Sequence, residues 1–191
     1  MKKNAKPNKN SLFLKNKKIA VRLNQEGLRL ILLGKTEDAI NCFEKSIKIS
    51  FNFPDPYFHL GNYYFQTNNP EKAEKYYLDA IKTDQNNPDF FFNLAILKYS
   101  KGLIDEAINF YKKCLDINPS YTKSLKYLGN IYKDKKEFRR ALEKNKQWKN
   151  FDPDNPEPYF NDALIHIRNG RFDLGWKLYE RGLENNIRDP F

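Results

Sequence analysis

Apolar and small residues recur along this chain with a helical period that is broken at regular intervals. In residues 54–87, PDPYFHLGNYYFQTNNPEKAEKYYLDAIKTDQNN, Tyr57, Leu60, Gly61 and Tyr64 fall at i, i+3, i+4 and i+7, one face of a helix. Ala73, Tyr77, Ala80 and Ile81 form one face of a second helix. The spacing predicts Asp55 as a cap for the first helix, with Pro56 at its first position. Asn69 is the predicted cap for the second, followed by Pro70 and Glu71. Gly61, Ala73 and Ala80 let the two backbones approach, and the aromatics fill the space beside them. Helices shorter than about 12–15 residues are marginal alone in water, so such a pair needs neighbours.

A shift of 34 residues supplies them. It superimposes Gly27, Gly61, Ala95, Gly129 and Ala163 at one small position, and Ala39, Ala73, Ala107, Ala141 and Gly175 at a second. Phe43, Tyr77, Tyr111 and Tyr179 share an aromatic position, and Pro119 and Pro153 close two units in the same register. Five units fit without insertion or deletion: 20–53, 54–87, 88–121, 122–155 and 156–189. This pattern resembles the tetratricopeptide repeat, a helix-turn-helix unit. The resemblance implies an all-α fold, an α-α superhelix or solenoid of five repeats, in which each unit packs on its neighbours.

The departures from the pattern are local. In the first repeat Leu23, Gly27 and Leu30 form the first-helix face and Gly34 marks the turn. The third is expected to start with Asn87 as cap and Pro88 at the first helical position, and it carries Lys98 where Tyr64 and Tyr132 stand elsewhere. In the fourth, Asn145 replaces the aromatic, and Trp148 occupies a position held elsewhere by Ser46, Ala80, Cys114 or Gly182. Such a ring must repack its surroundings or swing outward; burial is the expected outcome. The fifth has Gly175 and Gly182 within its second helix, each costing about 1 kcal/mol relative to alanine. Its Trp176, Tyr179 and Leu183 form an apolar stripe that the residues after Asn186 are too few to cover. The expectation is self-association through this last repeat, or cover from another domain. The string from Gly170 to Arg181, GRFDLGWKLYER, is similar to the last repeat of a bacterial family. In that family the array precedes a nucleotide-sugar glycosyltransferase domain.

Charge changes the picture at one end only. The net charge is +10, and residues 1–23 hold eight basic side chains (Lys2, Lys3, Lys6, Lys9, Lys15, Lys17, Lys18 and Arg22) and no acid. The rest is close to neutral. Residues 1–19 are therefore expected to be a basic, largely disordered arm, with Leu12, Phe13 and Leu14 covering the open face of the first repeat. No signal-peptide core and no run of 18 apolar residues is present. The two cysteines, Cys42 and Cys114, lie about two repeats apart and suggest neither disulfide nor zinc site, so a cytoplasmic location is expected.

Catalysis finds no support. His59 and His166 have no cysteine or serine at a spacing that suggests a triad. All eight glycines fall at repeat positions, leaving none for a phosphate-binding loop. No enzyme activity, cofactor or metal is expected. What the resemblance does imply is a ligand groove lined by the first helix of each repeat. Its positions here give Phe58, His59, Asn62, Phe92, Asn93, Lys123, Tyr127, Asn130 and Asn161, with Phe65, Gln66, Tyr99, Lys126, Lys133, Phe160 and Arg168 beside them. Amides can hydrogen-bond an extended peptide backbone whatever its sequence. The family's carboxylate clamp is matched at Asn62, Asn93 and Lys123, but Phe58 and Tyr127 stand where it needs cations, so a full clamp is not expected. The leading expectation is a protein-interaction scaffold binding a peptide segment. The alternatives are a docking unit for a glycosyltransferase or related transferase, and a nucleic-acid or membrane-surface binder acting through the basic arm.

Overall fold

The computed structural model describes residues 9–188, which form ten helices and, among the described residues, no strand. In order they are α1 (Lys9–Leu32), α2 (Thr36–Ile49), α3 (Asp55–Gln66), α4 (Pro70–Thr83), α5 (Pro88–Ser100), α6 (Ile104–Ile117), α7 (Thr122–Asp134), α8 (Phe138–Phe151), α9 (Glu157–Arg168) and α10 (Phe172–Arg188). They belong to two compact units that divide between Leu97 and Lys98, inside α5.

The sharp turn inside each helix pair has one backbone device. Gly34, Asn68, Gly102, Lys136 and Gly170, spaced by 34 residues, all take φ between 57° and 73°. Three are glycine, which enters this left-handed region without steric cost, and Asn68 is the next best tolerated residue there. Lys136 has neither advantage.

In the first unit α1 pairs with α2 and α3 with α4, while α2 lies against α3. Each pair closes on a glycine-to-ring contact: a Cβ on Gly27 would lie 2.5 Å from the Phe43 ring, and one on Gly61 2.6 Å from Tyr77. Ala39, Ala73 and Ala80 are fully buried. Ser46 donates to the Ala20 carbonyl at 2.8 Å and fixes where α1 begins to pack on α2. Asn69 caps α4 as expected, accepting from the Lys72 amide at 3.3 Å, and the Asn87 side chain accepts from the Asp89 amide at the start of α5. Asp55 does not cap α3. Pro54 holds the cap position with helical dihedrals, which draws Asp55 into the first turn.

The N-terminal expectation needs correction. Residues 9–19 are helical and continuous with α1, so the arm without regular structure does not hold for them; residues 1–8 lie outside the described residues. Leu12, Phe13 and Leu14 do not cover the first repeat, since all three are about half exposed. Helix α1 extends past Ala20, where its packing on α2 starts, and these side chains lie on the overhang.

In the second unit α6 lies against α7, α7 pairs with α8, α8 lies against α9 and α9 pairs with α10. Lys98, in place of a tyrosine, is buried, with its ammonium 2.8 Å from the Glu106 carboxylate. Trp148 is buried, as expected, and so is Asn145 one turn before it on the same face. The volume lost at 145 offsets the volume added at 148. Gly175 and Gly182 serve close approach: a Cβ on either would lie 2.5 Å from a side chain of α9, Ile167 or Phe160. Cys114 is buried and Cys42 half-buried, and neither is in a disulfide.

Candidate functional site

The candidate residues lie on the first helices of the repeats, α3 and α5 in the first unit, α7 and α9 in the second. In α3 the apolar stripe packs inward and leaves Phe58, His59 and Asn62 on the adjoining face, all half-buried. Phe58 sits among rings, 5.0 Å from Phe90, 5.9 Å from His59 and 6.1 Å from Tyr77. His59 also meets Phe43 of α2 at 5.3 Å. Burial pushes its imidazole below its ordinary pKa, and Asp55 opposes the shift. Asn62 is tied back into its pair, its oxygen accepting from the Tyr77 hydroxyl at 2.9 Å. That bond leaves its amide N–H groups to point elsewhere.

On α5, Phe92 and Asn93 are half-buried, and Asn93 donates to the Asp89 carbonyl one turn back at 2.8 Å. This bond closes within one helix. The first-helix face of the first unit is thus aromatic and apolar, and α1 continues that character with Leu28, Ile31 and Leu32 exposed.

The second unit differs in chemistry. Lys123 is exposed at the start of α7. Tyr127 stacks on Tyr111 of α6, centroids 5.2 Å apart at 18°, and meets Tyr99 edge-on at 6.1 Å. Packing therefore takes up much of its ring. Lys126 pairs with Glu157 of α9 through both carboxylate oxygens, at 2.5 and 2.8 Å. Two turns on, Lys133 joins the helices in another way: its ammonium donates to Asn130 Oδ1 at 3.3 Å and to Asn161 Oδ1 at 3.2 Å. The structure thus brings Asn130 and Asn161 together around one cation.

Lys133 was a flanking residue in the sequence pattern and proves to be the centre of this cluster. The residue as a whole is half-buried, the recorded partners of its ammonium are neutral amide oxygens, and among the described residues no ion pair to a carboxylate is formed by it. One of its three donor directions remains unused. An ammonium whose two recorded partners are neutral amide oxygens has no counter-charge among them, so its third donor direction favours an anion. The helix period could have joined Asn130 and Lys133, at i and i+3 on one helix, but only the packing of α9 brings Asn161 to them.

Phe160 turns away from this face. Its ring lies 5.1 Å from Tyr179 of α10 and fills the space left by Gly182. Among the described residues no cluster of side chains is suited to hold a metal ion, and no helix is long and apolar enough to cross a membrane.

Two family models match the chain, one described as TPR repeat over residues 27–68 and one as tetratricopeptide repeat over residues 58–122. Among curated proteins it is 26% identical over 136 residues to protein O-mannosyl-transferase TMTC3 of Homo sapiens, covering 69% of this chain and 15% of that protein. It is 31% identical over 97 residues to Hsp70-Hsp90 organizing protein 3 of Arabidopsis thaliana, covering 51% of this chain and 17% of that one. The chain therefore spans less than a fifth of the length of either relative. Among solved structures, MamA superimposes with a TM-score of 0.77 at 20% identity, covering 86% of this chain and 96% of MamA. YrrB, described as a TPR protein with an unusual peptide-binding site, gives 0.72 at 14% identity, covering 94% of this chain and 93% of YrrB.

Proposed function

Because this chain belongs to the tetratricopeptide repeat proteins, with an all-α repeat fold, we propose that it is a non-enzymatic interaction module that binds peptide segments on its first-helix faces. The observation that carries the reading is Lys133, held by two amide oxygens with its remaining donor direction open. The amide groups of Asn130 and Asn161 and the exposed Lys123 lie on the same two helices. A carboxylate from an acidic peptide accepts a charge-assisted bond from Lys133 and neutral bonds from the amides. The first unit's face, with Phe58 and Phe92, suits apolar side chains instead. The Hsp70-Hsp90 organizing relative and the peptide-binding description of YrrB agree with a protein or peptide ligand. Two cysteines outside any disulfide fit a reducing compartment such as the cytoplasm.

Anisotropy titrations with a labelled peptide containing several glutamates, and with its glutamine counterpart, test the reading. The acidic peptide is expected to bind more tightly, and Lys133→Ala to weaken it about tenfold while leaving the glutamine peptide unaffected. Equal binding of the two peptides, or no effect of Lys133→Ala, removes the acidic-segment reading.

A second reading, a docking or assembly unit of a transferase, is favoured by the similarity to TMTC3. The Gly170–Arg181 string adds to it. A transferase encoded in the adjoining reading frame supports this reading, and an unrelated neighbour removes it.

A further inference from the structure

The last helix presents an ordered apolar row to solvent. Phe172, Trp176, Tyr179 and Leu183 fall at i, i+4, i+7 and i+11 of α10, and all four are exposed, Trp176 at 56%. The repeat register says what such a row does elsewhere. The residues 34 positions before Tyr179 and Leu183 are Asn145 and Lys149 of α8, and both bond to Asp162 of α9. Another 34 positions back, Tyr111 of α6 is fully buried and stacks on Tyr127 of α7, with Ile108 buried beside it. These positions hold the next repeat's first helix. In α10 they are aromatic and open.

The row beside the stripe reads Asp173, Lys177, Glu180 and Glu184, all exposed and negative on balance. Two α10 helices packed antiparallel about a two-fold axis would set these rows on the same edge of the contact, where their like charges repel. A basic helix with apolar residues suits the stripe better, and the chain carries one. Helix α1 has 24 residues where α3, α5, α7 and α9 have 12 or 13, so it overhangs by about 16 Å. On the overhang Leu12, Phe13, Leu14 and Ile19 are exposed, interleaved with exposed Lys15, Lys17 and Lys18; Arg22 follows, and no acid precedes Glu26.

We propose that the chain self-associates head to tail, the aromatic row of α10 in one copy docking the basic overhang of α1 in a second copy. The overhang takes the place that the next first helix occupies inside the array. Its lysines face Asp173, Glu180 and Glu184, and Leu12, Phe13 and Ile19 cover Trp176 and Leu183. The contact is heterologous, so each copy keeps one unused face of each kind.

Sedimentation equilibrium of the full chain tests this, using two surface variants whose helicity is checked by circular dichroism. One is Trp176→Glu and the other is Leu12→Glu with Phe13→Glu. The unmodified chain is expected to associate with rising concentration, more weakly at high salt because the Debye length shortens. Each variant alone is expected to be monomeric. An equimolar mixture is expected to form a one-to-one dimer, since each variant retains the face that the other lacks. Association of the Leu12→Glu, Phe13→Glu variant by itself overturns the proposal, because α10 then pairs without α1. A monomer at all concentrations also overturns it. If that monomer cosediments with vesicles of phosphatidylserine and phosphatidylcholine, and loses this with Leu12→Glu and Phe13→Glu, the overhang meets lipid rather than a second copy.

Discussion

Asn145 of α8 donates its side-chain amide to Asp162 of α9 at 2.7 Å, with both residues almost fully buried. Asp162 also accepts from Lys149 at 2.5 Å, so one carboxylate joins two residues of the preceding helix. The other repeats place an aromatic ring where Asn145 stands. The fourth and fifth repeats are thus held by a polar contact where the preceding helices use ring packing.

Replacing Asp162 leaves the buried Asn145 amide without its acceptor and the partly buried Lys149 without its counter-charge. Removing one partner of a buried pair costs more than the pair contributes, because the remaining charge loses its compensation. Asp162→Ala is expected to destabilise the protein by about 3 kcal/mol in urea unfolding. Asp162→Asn, which keeps one acceptor, is expected to lose less. Equal losses for the two would show that charge is irrelevant at this site.

The glycines separate into two classes with different tests. Gly61→Ala puts a methyl group 2.6 Å from the Tyr77 ring inside a packed pair, and overpacking of this kind costs about 1–3 kcal/mol. At Gly34 no atom lies within 4 Å of an added Cβ, but φ is +73°, so Gly34→Ala is expected to lose about 1 kcal/mol through backbone strain alone. The converse holds at Lys136, where φ is +60°. Lys136→Gly is expected to stabilise the protein by up to about 1 kcal/mol, read as a rise in melting temperature. A fall there would mean that the lysine stem contributes more than its backbone costs.

Asn93 and Asn130 are half-buried, and their recorded bonds run to the Asp89 carbonyl and to Lys133. Neither amide fills a core site. The double replacement Asn93→Ala, Asn130→Ala is expected to shift stability by less than about 1 kcal/mol while weakening peptide binding. Thermal unfolding and anisotropy on the same preparation separate the effects, and a large loss of stability would place both amides in the packing.

The imidazole of His59 titrates below its ordinary value of 6.5 because it is buried against Phe43 and Phe58. As pH falls, the unfolded chain takes up this proton before the folded one does. The stability tied to neutral His59 is therefore full above about pH 6.5 and is lost as pH drops through the folded value. Unfolding of wild type and His59→Phe at pH 7.5 and 5.5 measures it. The wild type is expected to lose more stability between the two than the variant, and identical slopes would show that His59 is not the group responsible.

The sequence alone determined the helices, their pairing and the 34-residue period, because these follow from local physics. A helix's face is legible in residues three and four apart, and Asn69, Pro70 and Gly34 end and start helices through their own backbone chemistry. Small residues at fixed spacing likewise announced where backbones meet, as Gly27 does with Phe43. The positive φ of Lys136 was legible only through the period, since nothing in lysine favours it. What the tertiary structure decided was the partner of each polar group. Lys133 lies 28 residues from Asn161, and Lys149 lies 13 from Asp162, separations at which no helical period relates two side chains. The same limit applies to exposure. Leu12, Phe13 and Leu14 look like residues that cover a core, and they remain open because α1 runs on beyond the helix it packs against. Periodicity states which face of a helix is apolar, but only the neighbouring helix decides whether that face is buried.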